Sequence, residues 1–218
     1  MSYAALTSGG KDSILAAQKA IDSGIDLKYL VCARPDNPDS YMFHSANLDA
    51  VAVIAEHAGL DYVEIRTRGR RGAEVFDLER GLSRLEIEGI VAGAIASRYQ
   101  MSRLEAIASR LSLSVYAPLW QMDPVEVLRE VSARMHAIMV VCAADGLDES
   151  FLGATIDKAL IARLTAVAMK KGIHLAGEGG EYETLALFAP FYRTPVTYKT
   201  SRVVTAAGRS ELILGGFA

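Results

Sequence analysis

The chain lacks most of the features that would assign it quickly to a class. Among its 218 residues there are two cysteines, Cys32 and Cys142, far apart and each inside an apolar run. With no CxxC pair, a zinc ribbon or a dithiol centre is excluded as the organising element, and both read as small buried hydrophobes. There is no basic excess either, since the formal net charge is −3 with histidine neutral. Phosphate neutralisation needs clustered Lys and Arg, so this balance weighs against a nucleic-acid partner and leaves room only for a local basic patch. No apolar run is long enough to span a bilayer; "AIMVVCAADGL" soon meets Asp145. The opening "MSYAALTSGGKDS" has neither a basic n-region nor an apolar h-region, so it is not read as a signal peptide, and a cytoplasmic, membrane-free protein is expected. No internal repeat or low-complexity tract is evident.

What is present is a hydrophobic content of 51%, enough for a substantial core. Short apolar runs alternate with amphipathic stretches. "YAALTS", "DLKYLVCAR", "DYVEIRT", "GIVAGAI" and "LSVYAPL" read as strands. Between them lie helical patterns at 12–23, 46–58, in "AEVFDLERGLSRLEI" and in "SRLEAIASRLS", the first two closed by Gly24 and Gly59. This repetition predicts a Rossmann-like α/β fold, a five-stranded parallel sheet with helices on both faces and right-handed crossovers. Later, "DPVEVLREVSARM" is a helix with Asp123 as N-cap and Pro124 at its first position. "HAIMVVCAA", "TLALFAPFY" and "PVTYKTSRVVT" read as strands, and 157–171 as a helix ending at Gly172. A boundary near Trp120 divides the chain into a larger α/β domain, 1–119, and a smaller α+β domain, 120–218.

Between the first strand and first helix stands "LTSGGKDS". Gly9 and Gly10 allow a sharp turn that presents N–H groups to an anion, and the helix N-terminus behind them adds a positive dipole end. Lys11 supplies a mobile cation, and Ser8 and Ser13 supply hydroxyls. Asp12 either positions a magnesium-bound phosphate or simply favours the helix start. The spacing is neither Walker A nor the dinucleotide GxGxxG. It matches the SGGxDS loop of the N-type ATP pyrophosphatases, which cleave ATP between its α and β phosphates.

Further motifs narrow the resemblance. They are "SYMFH" (40–44), "GAIASRYQMSRLE" (93–105), "PLW" (118–120), "GLDESFLG" (146–153) and "GEGGEYET" (177–184). Together with the loop at 8–13, and in this order over nearly the whole chain, they resemble the diphthine–ammonia ligase family. The last motif is the most specific. The resemblance implies that ATP, with Mg2+ placed at Asp12, activates the carboxylate of diphthine on elongation factor two. Ammonia then displaces AMP to give diphthamide. Adenylation suits this chemistry because a carboxylate has no good leaving group and AMP is one.

The resemblance implies roles for individual residues. Ser8, Gly9, Gly10, Lys11, Asp12 and Ser13 hold ATP phosphates, and Lys11→Ala is expected to weaken ATP use with the fold intact. His44 either contacts the nucleotide or has no role. Gly93 lets the nucleotide approach the fourth strand. Ser97, Arg98, Tyr99, Gln100 and Arg103 follow that strand, with Arg98 or Arg103 as a phosphate ligand. Asp148 and Glu149 read first as a turn and cap. The arginines at 66, 68, 70 and 71 read as a solvated loop, or as a dock for an acidic partner surface. "GEGGEYE" places three carboxylates within six residues, at the cost of mutual repulsion. Diphthine carries a trimethylammonium group and the nucleophile arrives as ammonium, so Glu178, Glu181 and Glu183 are expected to bind cations, one of them deprotonating ammonium. Tyr182 either offers its ring to the methylated nitrogen or, if the segment is extended, turns into the core. Two other readings compete. One is another ATP pyrophosphatase of this loop type, acting on tRNA or a small carboxylate. The other is a non-catalytic nucleotide-binding regulator. A homo-oligomer is left open.

Overall fold

The computed structural model describes residues 2–36, 46–68, 73–206 and 208–218. The segment 40–44 with His44, and Arg70 and Arg71, lie outside the described residues. The first half is a parallel sheet of β1 (Tyr3–Leu6), β2 (Leu27–Pro35), β3 (Asp61–Thr67), β4 (Gly89–Val91) and β5 (Ser114–Tyr116), in the order β3-β2-β1-β4-β5. Its helices are α1 (Lys11–Asp22), α2 (Ala50–Ala58), α3 (Ala73–Leu82) and α4 (Arg98–Leu111).

Successive strand residues point to opposite faces, and the core follows that rule. Ala5, Leu30 and Val91 join Ile14 of α1 and Ile54 of α2 in one cluster. Their neighbours Ala4, Val31 and Ile90 join Leu78 of α3 and Ile107 of α4 in another. The sheet is therefore covered on both sides, as near-continuous apolar strands require. The chain builds β1, β2 and β3 outward in one direction and then crosses to β4 and β5, which leaves a switch point between β1 and β4.

The second half adds an antiparallel sheet of β6 (His136–Cys142), β7 (Tyr182–Phe188), β8 (Thr200–Ala206) and β9 (Arg209–Gly215), in the order β7-β6-β9-β8. Two helices accompany it, α5 (Pro124–Arg134) and α6 (Lys158–Lys171). Asp123 caps α5 by accepting from the amides of Val125 and Glu126. Asp148 likewise accepts from Ser150 N, a turn and cap as expected. The first core cluster continues through Leu128, Val141 and Leu185, so the second sheet packs on the α1 side of the first. Cys32 and Cys142 are free and buried, and burial pushes both thiols up to about 11.

Four local expectations change. α2 begins at Ala50 rather than 46. The strand expected over 89–95 stops at Val91, because the segment after it leaves the ladder to meet the start of α1 and the acidic loop. β7 begins at Tyr182, inside the acidic motif. β9 was not anticipated, although its buried Ser210, Leu212 and Leu214 alternate with less buried neighbours. Among the described residues no helix is long and apolar enough to cross a membrane.

Candidate active site

The C-terminal ends of β1 and β4 open onto a cavity of about 770 Å3. Its floor is the turn from β1 into α1. Gly9 sits at φ +81°, a conformation that L side chains rarely adopt. Thr7 Oγ1 accepts from Gly9 N at 2.8 Å and shares a 2.7 Å hydrogen bond with Ser13 Oγ. Ser13 Oγ also donates to Gly10 O at 3.0 Å. The turn is fastened from the other sheet as well: Ala186 N donates to Gly9 O at 2.8 Å, and Lys11 N donates to Thr184 Oγ1 at 3.0 Å. The amides of Asp12 and Ser13, in the first helical turn, have no intrahelical acceptor by helix geometry. They stand at the positive end of a 12-residue helix, a place suited to an anion.

Lys11 is not the mobile cation expected of it. It is 2% exposed. Its Nζ donates to Asp12 Oδ2 at 2.8 Å and to the carbonyl of Ala176 at 2.6 Å, and lies 5.1 Å from the ring centroid of Tyr182. Burial works to lower its pKa, but Asp12, then Tyr182 and Glu178, outweigh burial; the net direction is upward and the ammonium stays charged. A buried, fully engaged ammonium is a fastener between α1 and the acidic loop. Removing that ammonium is therefore expected to cost stability, where the sequence alone suggested an intact fold.

Gly93 also acquires a different reason. A Cβ there would lie 2.6 Å from Ser13 N and 2.7 Å from Asp12 C. The close approach is by the protein's own backbone at the start of α1, while Gly93 itself still lines the cavity.

The three glutamates of the acidic motif separate. Glu178 lines the cavity, and its Oε1 accepts from three consecutive amides, Ile95 at 3.0 Å, Ala96 at 2.9 Å and Ser97 at 3.0 Å. Glu181 accepts from His174 N at 2.7 Å and Gly179 N at 2.8 Å, so both its oxygens bond the loop's own backbone. It is not among the cavity-lining residues. Glu183 lines the cavity with its side chain 10% exposed and pairs with Arg209 Nη2 at 2.9 Å. Tyr182 turns inward: it is 2% exposed and its hydroxyl donates to Leu175 O at 2.8 Å. Burial pushes its phenol up to about 12, and its ring already faces Lys11. It is therefore a core residue, not a free aromatic face.

Along the β4 side, Ser97 caps α4 by accepting from Gln100 N, and Ser97, Tyr99 and Gln100 line the cavity. Arg98 is exposed and does not line it. Arg103 lies over the Tyr99 ring at 3.2 Å from its centroid and donates to Tyr99 O, also away from the lining. Leu6, Val31, Ala33, Leu78 and Leu104 supply an apolar recess. Arg66 and Arg68 pair with Asp36 and Asp77. Among the described residues no group of three His, Cys, Asp or Glu could hold a metal by itself.

Four polar lining residues were not singled out from the sequence: Thr7, Thr184, Arg209 and Glu211. Thr7 and Thr184 sit at the ends of quoted motifs, where adjacency was a usable signal. Arg209 and Glu211 belong to the unanticipated strand, and only its period-2 alternation pointed to them.

The geometry combines an anion-binding turn, an apolar recess and an acidic wall within one cavity. Comparison with known proteins agrees on a single family. Residues 1–115 match the diphthamide synthase N-terminal domain and residues 123–208 match the diphthamide synthase C-terminal domain. A human protein named diphthine--ammonia ligase is 36% identical over 94% of this chain and 85% of its own length. The zebrafish protein of that name is 33% identical over 94% and 89%. In Schizosaccharomyces pombe the similarity is 30% over 94% of this chain but only 37% of the relative. A solved chain from Methanocaldococcus jannaschii, described as a predicted subunit of a tRNA methyltransferase, aligns at TM-score 0.45 and 16% identity over 87% of this chain and 97% of its own. That likeness is too distant to inform function. The chain belongs to the diphthamide synthase family, a family of ligases.

Proposed function

We propose that the chain uses ATP to adenylate the carboxylate of diphthine on elongation factor two, releasing pyrophosphate. Ammonium gives up a proton to solvent, the nitrogen of the resulting ammonia attacks the acyl carbon, and AMP leaves with loss of a second proton to give the amide of diphthamide. The observation that carries this reading is the shared cavity: the SGGKDS turn and the GEGGEYET segment meet in it, hydrogen-bonded to each other through Thr184, with Ala186 further along the same strand bonding the turn as well. Relatives at this identity and coverage are named diphthine--ammonia ligase.

In this reading the first-turn amides, with Ser8 and Ser13, hold the phosphates. The apolar recess of Val31, Leu78 and Leu104 takes the base. A single carboxylate at the turn, Asp12, fits a Mg2+ ion held chiefly by phosphate oxygens and water, which would offset charge on the departing pyrophosphate. Glu183 faces the acceptor's cation, because it lines the cavity and its carboxylate is held there by a side chain, the Arg209 guanidinium. Glu178 and Glu181 hold backbone. The enzyme acts mainly by placing the carboxylate oxygen in line with the α-phosphorus and the departing pyrophosphate oxygen, and then the amine against the acyl carbon.

The test is pyrophosphate release from ATP with diphthine-bearing elongation factor two and ammonium. Release that requires both supports the reading, and no release from protein that binds ATP sinks it. Tight, salt-sensitive tRNA binding in a filter assay would move the chain to the tRNA-modifying alternative.

A further inference from the structure

Arg209 and Glu211 lie outside every motif of the sequence, yet both line the cavity. The sheet explains how they reach it. Strand β6 lies between β7 and β9, and its Val141 is the registered partner of Glu183 on one side and of Glu211 on the other. Paired residues in adjacent strands share a face, so the two carboxylates stand in one row, two strand spacings or roughly 10 Å apart at the backbone. Arg209 is two residues from Glu211 on β9 and so on the same face. Its guanidinium bridges the row: Nε donates to Glu211 Oε1, and Nη2 donates to Glu183 Oε1 at 2.9 Å.

A guanidinium presents its donors in a rigid planar fork. With one prong fixed by Glu211, the direction of the other is fixed too. Glu183 has its side chain 10% exposed, so a change in that direction is not absorbed by solvent. Burial opposes the charge on Arg209, and Glu211 and then Glu183 more than restore it, so the bridge stays ionised.

We infer that Arg209 is a positioning residue for the acceptor end of the cavity: anchored by Glu211, it sets the carboxylate of Glu183 toward the bound acceptor. This rests on the proposed function for what the acceptor is, but not for the geometry. The test has two arms. In the kinetic arm, Arg209→Ala should lower kcat/KM for diphthine-bearing factor about 100-fold, the scale of a misplaced catalytic contact, and leave the KM for ATP unchanged. Guanidinium added at a sub-denaturing concentration should restore part of the loss. Arg209→Lys, with one compact donor head, should retain part of the activity, and Glu211→Gln, which keeps an acceptor oxygen, should lose least. If Arg209→Ala fails to fold, the Lys and Gln variants carry the comparison. Unchanged acceptor kinetics, or a rise in the KM for ATP instead, overturns the inference, the latter placing Arg209 on phosphate. In the structural arm, crystal structures of the wild type and Arg209→Gln should show the Glu183 carboxylate displaced in the variant. A Glu183 that keeps its place overturns the inference whatever the acceptor is. A wild type that never turns over the factor overturns the proposed function alone, and the structural arm still decides Arg209.

Discussion

Adding one methyl group at Gly93 should disable the ATP side of the cavity. The Cβ of Gly93→Ala would lie 2.6 Å from Ser13 N, 2.7 Å from Asp12 C and 2.7 Å from Ser13 Cα. All three are backbone atoms, so no side chain can swing away. Ordinary contact begins near 3.4 Å, so segment 93–97 and the first turn of α1 must part by about 0.8 Å. Neither side yields easily. The turn is tied to β7 through Gly9 O and Lys11 N, and segment 95–97 is tied to Glu178 by three amides. Overpacking of this kind costs about 1–3 kcal/mol. For a chain of this size that lowers Tm by about 2–12 °C. The larger effect falls on function, because the atoms displaced include the amide of Ser13, and a misplacement near 1 Å costs about 100-fold. Differential scanning fluorimetry gives the first number, and calorimetric ATP titration with pyrophosphate release gives the second. If Gly93→Ala melts with the wild type and binds ATP as tightly, the close approach is not real and the account of Gly93 fails.

Lys11→Ala should lower unfolding free energy by about 3–5 kcal/mol, because Asp12 and the Ala176 carbonyl lose a buried cationic partner; an unchanged urea midpoint would restore the mobile-cation reading. Glu181→Gln and Glu183→Gln should part company. The first lowers stability by about 1–3 kcal/mol, since one of its two amide acceptors becomes an NH2 group, and leaves acceptor kinetics intact. The second keeps ATP binding and loses amidation, and matching profiles for the two variants would refute the division. Asp77 supplies a pH test. Burial raises its pKa, but hydrogen bonds from the Arg68 side chain and backbone, and the charges of Arg68 and Arg80, outweigh burial, so the folded value lies below the ordinary 3.8. Its stabilisation is therefore present at neutral pH and lost as pH falls through the folded value. Asp77→Asn should be less stable than wild type at pH 7, with the gap closing on acidification; a gap that widens in acid contradicts the sign.

Much of this was legible in the sequence, for identifiable reasons. The five parallel strands and their helices announce themselves through buried runs such as "YLVCA" and through helix periodicity, both local signals. The phosphate turn is legible because its chemistry needs adjacent residues. The acidic motif was legible as a site and illegible in detail. Three glutamates in one short motif look alike along the chain, and what separates them is which donors each one meets. Those partners lie at sequence separations of 81 to 83 for Glu178 and 26 for Glu183. Glu181 is different again: its partners, at separations of 2 and 7, lie inside the loop itself. Lys11 shows the same blindness. Its neighbours in sequence suggest a phosphate ligand, and its burial follows from Ala176, 165 residues away.

The loop that looked like a repulsion problem is an assembly device first. A carboxylate has several acceptor sites, so one side chain can hold several amides of a backbone segment in place. Glu178 does this across the cavity to segment 95–97, and Glu181 does it within the loop. Lys11 then ties the loop's entry to α1, and Thr184 ties its exit to the same turn. The phosphate turn, the α4 start and the acidic strand are thereby fixed to one another through three separate contacts rather than hinged. That arrangement suits the proposed carboxylate activation, in which the acceptor oxygen and the α-phosphorus must meet in line within a few tenths of an ångström. Two of its three glutamates are engaged with backbone, and the third, Glu183, is paired across the cavity wall with Arg209, on a strand the motif does not contain.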